Sequence, residues 1–138
     1  MKQKIVLDYP PNYNQLKVVF PIVGQPIIFS WGDRIYNPNK VFIPAELIAH
    51  EGVHGDRQGV DEACIQAWWD KYIEDTKFRL YEEILAHKAE FEALTRRHSN
   101  KRAANLLKIA TKLAAPLYES LVSIEEAKQV LLERNIER

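Results

Sequence analysis

Cysteine is nearly absent from this sequence, and its scarcity excludes two common ways of stabilising a small protein. Cys64 is the only cysteine among 138 residues, so the chain can form neither an internal disulfide nor a zinc site made of cysteines alone. We expect Cys64 to be an inert, buried thiol. An isolated cysteine fits a reducing compartment.

The sequence also lacks net charge and long apolar runs. Lysine plus arginine numbers 19, as does aspartate plus glutamate, whereas nucleic-acid binding requires a basic surface. No stretch approaches the roughly 18 apolar residues of a membrane span, and the short run before Asp8 does not suit a signal peptide. We therefore expect a cytoplasmic protein that binds neither nucleic acid nor a membrane.

The chain length suits one domain, residues 1–138, in which a β-rich part, 1–43, precedes a helical part, 44–138. Turn signals rich in proline, glycine and asparagine separate the short runs of the first part. These runs predict a small antiparallel sheet from four segments: Lys4–Leu7, Leu16–Pro21, Pro26–Trp31 and Arg34–Tyr36.

About four helices should follow and pack against this sheet, which makes the fold class α+β. The first begins at Pro44, a residue suited to the first helical position, and extends to about Gln58. A long second helix should cover about Asp61–Arg96, with an apolar stripe of Ile73, Leu80, Ile84, Phe91 and Leu94. The third should begin after Ser99 and bend or end at Pro116, and a capping box at Ser123 starts the last, near 124–134.

The segment His50-Glu51-Gly52-Val53-His54 contains the residues that predict a metal site. Residues i and i+4 of a helix share one face, with Cβ atoms about 5–6 Å apart, so both imidazoles can reach one zinc ion. Glu51 is placed to act as the general base on water activated by the metal. This is the HExxH pattern of zinc peptidases.

The alternative is a surface helix that carries two unrelated histidines. Apolar neighbours, Leu47, Ile48, Ala49 and Val53, argue against it, because they indicate a buried helix. A buried pair of histidines without partners would be energetically costly.

Together with the downstream segment from Arg79 to Ala86, this motif resembles the gluzincin type of metallopeptidase, in a compact form like those of phage and bacteria. The resemblance covers roughly residues 26–95. It implies a zincin-like core, one Zn²⁺ per chain and a peptide or protein substrate. It also implies a third ligand in a Glu-x-x-Ala context, which Glu83 and Ala86 match. In such peptidases the strand before the metal helix, here Pro26–Trp31, lines the cleft and pairs with extended substrate.

Helix phase selects the same glutamate independently. Glu83 lies about 60° from the centre of the apolar stripe at Leu80, whereas Glu82 lies about 160° away and should face solvent. Glu90, two turns further along, is the alternative third ligand. His87 lies within the stripe, either as a partner of the metal site or as a hydrogen-bonded core histidine.

Several other residues are weaker candidates for a role at the predicted metal site. Tyr72 and Arg79 share the side of Glu83 and could stabilise an oxyanion, but helix packing and a surface or salt-bridging role are the commoner explanations. Gln58 could orient a ligand or simply end its helix. Trp68 and Trp69 should form core and pocket wall.

The sequence thus predicts a zinc-dependent hydrolase, a metallopeptidase that uses His50, His54 and Glu83 as metal ligands and Glu51 as the catalytic base. One rival is a zinc amidase acting on cell-wall peptides. A second is a non-catalytic structural or binding module stabilised by a metal. An open coordination position distinguishes the enzymes from the module.

Overall fold

The computed structural model describes residues 3–115 and 121–133, and it is α+β. Three short strands and six α-helices follow one another in these residues, so the helices exceed the predicted number. Their bounds are β1 Lys4–Val6, α1 Tyr13–Val19, β2 Phe29–Trp31, β3 Arg34–Tyr36, α2 Ala45–Gln58, α3 Glu62–Glu74, α4 Thr76–Arg97, α5 Arg102–Leu113 and α6 Ile124–Leu132.

The sheet is mixed, and the expectation of a purely antiparallel sheet was wrong. The central strand, β3, pairs antiparallel with β2 through a tight turn at Gly32, where φ is +60°. On its other side β3 pairs in parallel with β1. Parallel neighbours need a long crossover connection, and the segment between β1 and β2 supplies it.

That crossover contains a helix where a strand was predicted, over Leu16–Pro21. The run looks β-like because of its valines, yet Val18 is 82% exposed and only Leu16 is buried within the helix. Packing of Leu16 into the core decides the conformation, since tertiary contacts override strand propensity. The strands predicted at Lys4–Leu7 and Pro26–Trp31 also form, but are shorter.

The predicted long helix Asp61–Arg96 is two helices, α3 and α4, which meet at Asp75. The backbone of Asp75 is extended, and its Oδ1 accepts a hydrogen bond from the amide of Phe78 at 3.0 Å. Asp75 is therefore an N-cap, a position at which aspartate is strongly favoured. Ile73 consequently does not share a helix with the rest of the predicted stripe.

The last helices follow the prediction more closely. A single 3₁₀ turn, Ser99–Lys101, precedes α5, and α6 begins with the expected capping box. In this box the Glu126 amide donates to Ser123 Oγ at 3.1 Å, and the Ser123 amide donates to Glu126 Oε1 at 2.9 Å. Pro116, expected to bend or end the preceding helix, lies outside the described residues.

The central helix α4 lies between two hydrophobic clusters. The first joins α1, the sheet and α3 through nine buried residues: Leu16, Ile22, Phe29, Trp31, Tyr36, Ile65, Trp68, Trp69 and Tyr72. The second joins α4, α5 and α6 through Phe91, Leu94, Ile109, Ala110, Leu113, Ala127 and Leu131. Helix α2 packs along α4. None of the helices in the described parts of the chain is long and apolar enough to cross a membrane.

Candidate metal centre

Helix α2 presents His50 and His54 on one face, towards α4. The helix starts directly after Pro44, whose extended backbone leads into the first turn. The two imidazole centroids are 4.9 Å apart, and the residues are 8% and 4% exposed. The helical spacing seen in the sequence thus places both rings in the interior.

Glu83 of α4 faces both rings. Its Oε1 is 3.2 Å from His50 Nε2, and its Oε2 is 3.1 Å from His54 Nε2. One ligating atom from each of these residues lies within 4.8 Å of the other two. The structure therefore brings together the three predicted ligands, from two different helices.

His54 lacks the hydrogen bonds that a buried imidazole normally makes. Neither its Nδ1 nor its Nε2 makes a hydrogen bond of good geometry among the described residues, although both atoms are buried and Nε2 lies 3.1 Å from Glu83 Oε2. Leaving a buried polar group unpaired costs about 1–3 kcal/mol. A cation between His54, His50 and Glu83 would satisfy Nε2, so the donor set fits a metal ion.

Tyr72 of α3 fixes the carboxylate of Glu83. Its hydroxyl donates to Glu83 Oε2 at 2.6 Å, and the tyrosine is buried. This places Tyr72 against the predicted third ligand, where it orients the carboxylate.

Arg79 instead caps the end of α3. Its Nε donates to the carbonyl oxygen of Tyr72 and its Nη2 to that of Ile73, each at 2.8 Å. It is not among the residues that line the pocket at the cluster. Its position does not suit the expected alternative of an oxyanion-stabilising group.

Glu90, the alternative third ligand, contacts the other nitrogen of His50. Its Oε1 is 2.9 Å from His50 Nδ1, and its Oε2 accepts a hydrogen bond from Lys112 Nζ of α5 at 2.7 Å. A carboxylate on one imidazole nitrogen fixes the ring and leaves the other nitrogen for a metal. Sequence reasoning missed Lys112, for which no local pattern gives a signal.

His87 closes the cluster from the next turn of α4. Its ring centroid is 4.5 Å from that of His50, and its Nδ1 is 2.8 Å from the carbonyl oxygen of Glu83. Burial, reinforced by the charge of His50, lowers the pKa of His87 to about 4. His50, His87 and Glu90 also lie close enough to share a cation, but the ammonium of Lys112 on Glu90 would repel one there.

Glu51 lies beside this cluster, on the pocket wall. Its Oε2 is 3.7 Å from His50 Nε2, and its side chain is 13% exposed. Burial raises the pKa of Glu51 above its ordinary value, while the neighbouring imidazoles lower it less. Burial also acts on Glu83, but His54 and His50 hold the pKa of that carboxyl well below its usual range. The environment thus separates two carboxyl groups for which different roles were predicted.

Glu82, predicted to face solvent, is completely buried. Its Oε1 accepts hydrogen bonds from Arg57 Nε at 2.7 Å and Trp68 Nε1 at 3.0 Å. The prediction was wrong because α4 is covered on several sides, by α2 and α3 as well as by α5 and α6. A single apolar stripe cannot define the buried face of such a helix.

Gln58 holds the β2–β3 turn, away from the cluster. Its Oε1 accepts from the Gly32 amide at 2.7 Å, and its Nε2 donates to Ser30 Oγ at 3.1 Å. The Ser30 carbonyl also accepts from Trp69 Nε1 at 3.2 Å. Side chains thus occupy the outer edge of β2 at Ser30, where extended substrate was expected to pair.

Two further expectations concern α3. Trp68 and Trp69 are buried and line the pocket, as expected of core and wall. Cys64 is exposed, so the prediction of a buried thiol was wrong. The buried face of α3 is formed instead by Ile65, Trp68, Trp69 and Tyr72.

A pocket of about 490 Å³ opens beside the cluster. Glu51 and the three predicted ligands form one end of it, together with His87, Glu90 and Lys112. The remaining lining consists of apolar and aromatic side chains of α1, α2, α3 and the segment before β2. A small molecule or a peptide side chain could therefore reach the cluster.

No protein-family model matches this chain, and no curated protein or solved structure matches it. The resemblance to gluzincins therefore rests on the motif residues alone.

Proposed function

We propose that this protein is a zinc-dependent hydrolase that cleaves peptide bonds, with His50, His54 and Glu83 as metal ligands. One observation carries the proposal. These three buried side chains converge from two helices at the end of an accessible pocket. Glu51 is not part of this group of three but lines the same pocket.

The residues would divide the work as follows. Burial lowers the pKa of His50, but Glu83 and Glu90 raise it to about 10, so zinc would have to displace the proton of this imidazole. Two imidazoles, both neutral once the metal is bound, and one carboxylate are the ligand set of a catalytic zinc site with an open position. A bound zinc ion would supply Lewis acidity, which polarises a carbonyl and acidifies water. Glu90 and Tyr72 hold His50 and Glu83 in place. Glu51 accepts the proton of the attacking water and returns it to the leaving amine.

A zincin-like core and a cytoplasmic location belong to the same proposal. The exposed thiol of Cys64 fits a reducing compartment. An amidase that cleaves cell-wall peptides would use the same residues. A structural metal site would have no use for a pocket at the cluster or for Glu51, and this favours an enzyme over the non-catalytic module.

The test compares Glu51→Gln with wild type and with the control Glu92→Gln, which changes an exposed glutamate of α4. Elemental analysis should find one zinc per chain in all three proteins. Glu51→Gln should lose at least about 10²–10⁴-fold in turnover, because an amide cannot accept the proton. Denatured protein and a mixed peptide library are suitable first substrates.

Two results would contradict the proposal. Purified protein without zinc, which also fails to take up added zinc, would overturn the metal site. A zinc-containing wild type that cleaves neither peptides nor cell-wall fragments would favour the structural module.

A further inference from the structure

The pocket beside the cluster has two chemically different ends. The polar end consists of His50, Glu51, His54 and Glu83. The other end is apolar and is formed mainly by Leu16, Phe20, Ile22, Ile27, Ile28 and Phe29. A ligand that fills the pocket must therefore combine a polar group with an apolar one.

Aromatic rings connect the two ends without interruption. The ring of His54 is 5.3 Å from that of Trp68, which stacks on Tyr72 at 5.1 Å. Tyr72 in turn contacts Phe20 of the apolar end, with centroids 6.2 Å apart. A substrate whose carbonyl lies at the cluster would place the adjoining side chain along this wall.

Among the residues that the structure describes, no charged side chain lines the apolar end; the guanidinium of Arg79 lies 5.1 Å from the Phe20 ring but is not part of the lining. Apart from the histidines and Glu51, the charged side chains of the lining are Glu83, Glu90 and Lys112. Lys112 is bound to Glu90, and Glu90 to His50. A charged side chain at the apolar end would lose its hydration without compensation.

We infer that the site selects amide bonds next to a large aliphatic or aromatic residue and disfavours charged residues there. This inference rests on the proposed function. Gln58 Nε2 and Trp69 Nε1 both donate to the Ser30 carbonyl oxygen at the outer edge of β2. Affinity at this position would therefore come from burial of a substrate side chain and not from strand pairing. Burying a side chain the size of leucine should increase affinity about tenfold or more.

Binding of zinc-chelating probes tests this without turnover. The probes are the α-hydroxamates of N-acetylated leucine, phenylalanine, aspartate and lysine, titrated against the zinc-containing protein. The fluorescence of Trp68 and Trp69, which line the pocket, reports binding. The leucine and phenylalanine probes should bind about tenfold or more tightly than the charged ones.

Two adjacent residues of α2 provide the matched variants. Leu47 lines the pocket and belongs to neither hydrophobic cluster, whereas Ile48 is 41% exposed and is not part of the lining. Leu47→Ala should reduce the preference for the leucine probe at least about threefold, and Ile48→Ala should leave it unchanged.

Elemental analysis of the same samples separates the possible failures. Equal affinity for all four probes in protein that contains one zinc per chain would contradict the inferred preference but still support the proposed metal site. A preference that Leu47→Ala does not alter would overturn the assignment to this pocket. Protein that takes up no zinc would overturn the proposed function, and the inference with it.

Discussion

Glu82 and Glu83 are neighbours on α4, yet their side chains hold different parts of the molecule. Glu82 binds Arg57 of α2 and Trp68 of α3, whereas Glu83 contacts the two histidines and Tyr72. Both are buried, at 0% and 5% exposure. One carboxylate therefore serves the packing of three helices, and the next serves the candidate metal centre.

Substitution by alanine should separate these roles. Glu82→Ala leaves Trp68 Nε1 without a hydrogen-bond acceptor and creates a cavity. We therefore expect the free energy of unfolding to fall by about 2–4 kcal/mol. The folded variant should still bind one zinc. Glu83→Ala should abolish tight zinc binding, because only two ligands remain.

Chemical denaturation and zinc titration measure the two effects, and Glu92→Ala serves as the exposed control on the same helix. A loss of stability below about 0.5 kcal/mol for Glu82→Ala, which is typical of surface positions, would contradict the packing role. Undiminished zinc affinity in Glu83→Ala would contradict its assignment as ligand.

Glu90 and Lys112 lie behind His50 and would influence a metal ion bound at its other nitrogen. Glu90 contacts His50 Nδ1, and Lys112 holds Glu90 from α5. Substituting such partners of a metal-bound histidine typically costs 10–100-fold, about 1.4–2.8 kcal/mol, in metal affinity or activity. We expect Glu90→Gln to weaken zinc binding within this range and Lys112→Met to have a smaller effect in the same direction.

Competition with a chelator of known affinity measures both variants. Lys108→Met is the control, because Lys108 is exposed on the same helix as Lys112. If Glu90→Gln removed zinc completely while Glu83→Ala retained it, Glu90 would be the third ligand.

At the scale of elements, β3, α2, α5 and α6 were predicted well, whereas α1 was predicted as a strand and α3 and α4 were predicted as one helix. The periodic run after Pro44 and the capping box at Ser123 contain their own boundary signals, so α2 and α6 begin where the sequence indicates. At Asp75 the apolar pattern continues across a break that a single aspartate cap creates. The α1 segment looks like a strand because propensity is weaker than the packing of one leucine.

In the candidate site, too, features with a local sequence signal were predicted and features set by distant packing were not. Histidine spacing was sufficient to place His50 and His54 on one face, because it depends on local geometry alone. Helix phase directed Glu83 to the interior but wrongly directed Glu82 to solvent. Glu82, Lys112 and the edge of β2 depend on which distant element packs against them, and the sequence of one segment contains no information on that. Tyr72 was selected for its side of a helix, but its contact with Glu83 crosses from α3 to α4.

At the scale of the whole molecule, the chain has two hydrophobic clusters but one central helix. Three buried carboxylates of α4, those of Glu82, Glu83 and Glu90, take partners from α2, α3 and α5. The part of the chain described by the structure is therefore joined through polar contacts as well as through apolar ones.

These carboxylates have a consequence for how the protein unfolds. Burying any of them before its partners arrive would leave an uncompensated charge in a low-dielectric interior, so neither cluster can form around α4 on its own at low cost. We expect one cooperative transition. The three tryptophans, all in the first cluster, should lose their native fluorescence at the same denaturant concentration at which circular dichroism reports loss of the helices. Two separate midpoints would show that the clusters melt as independent units.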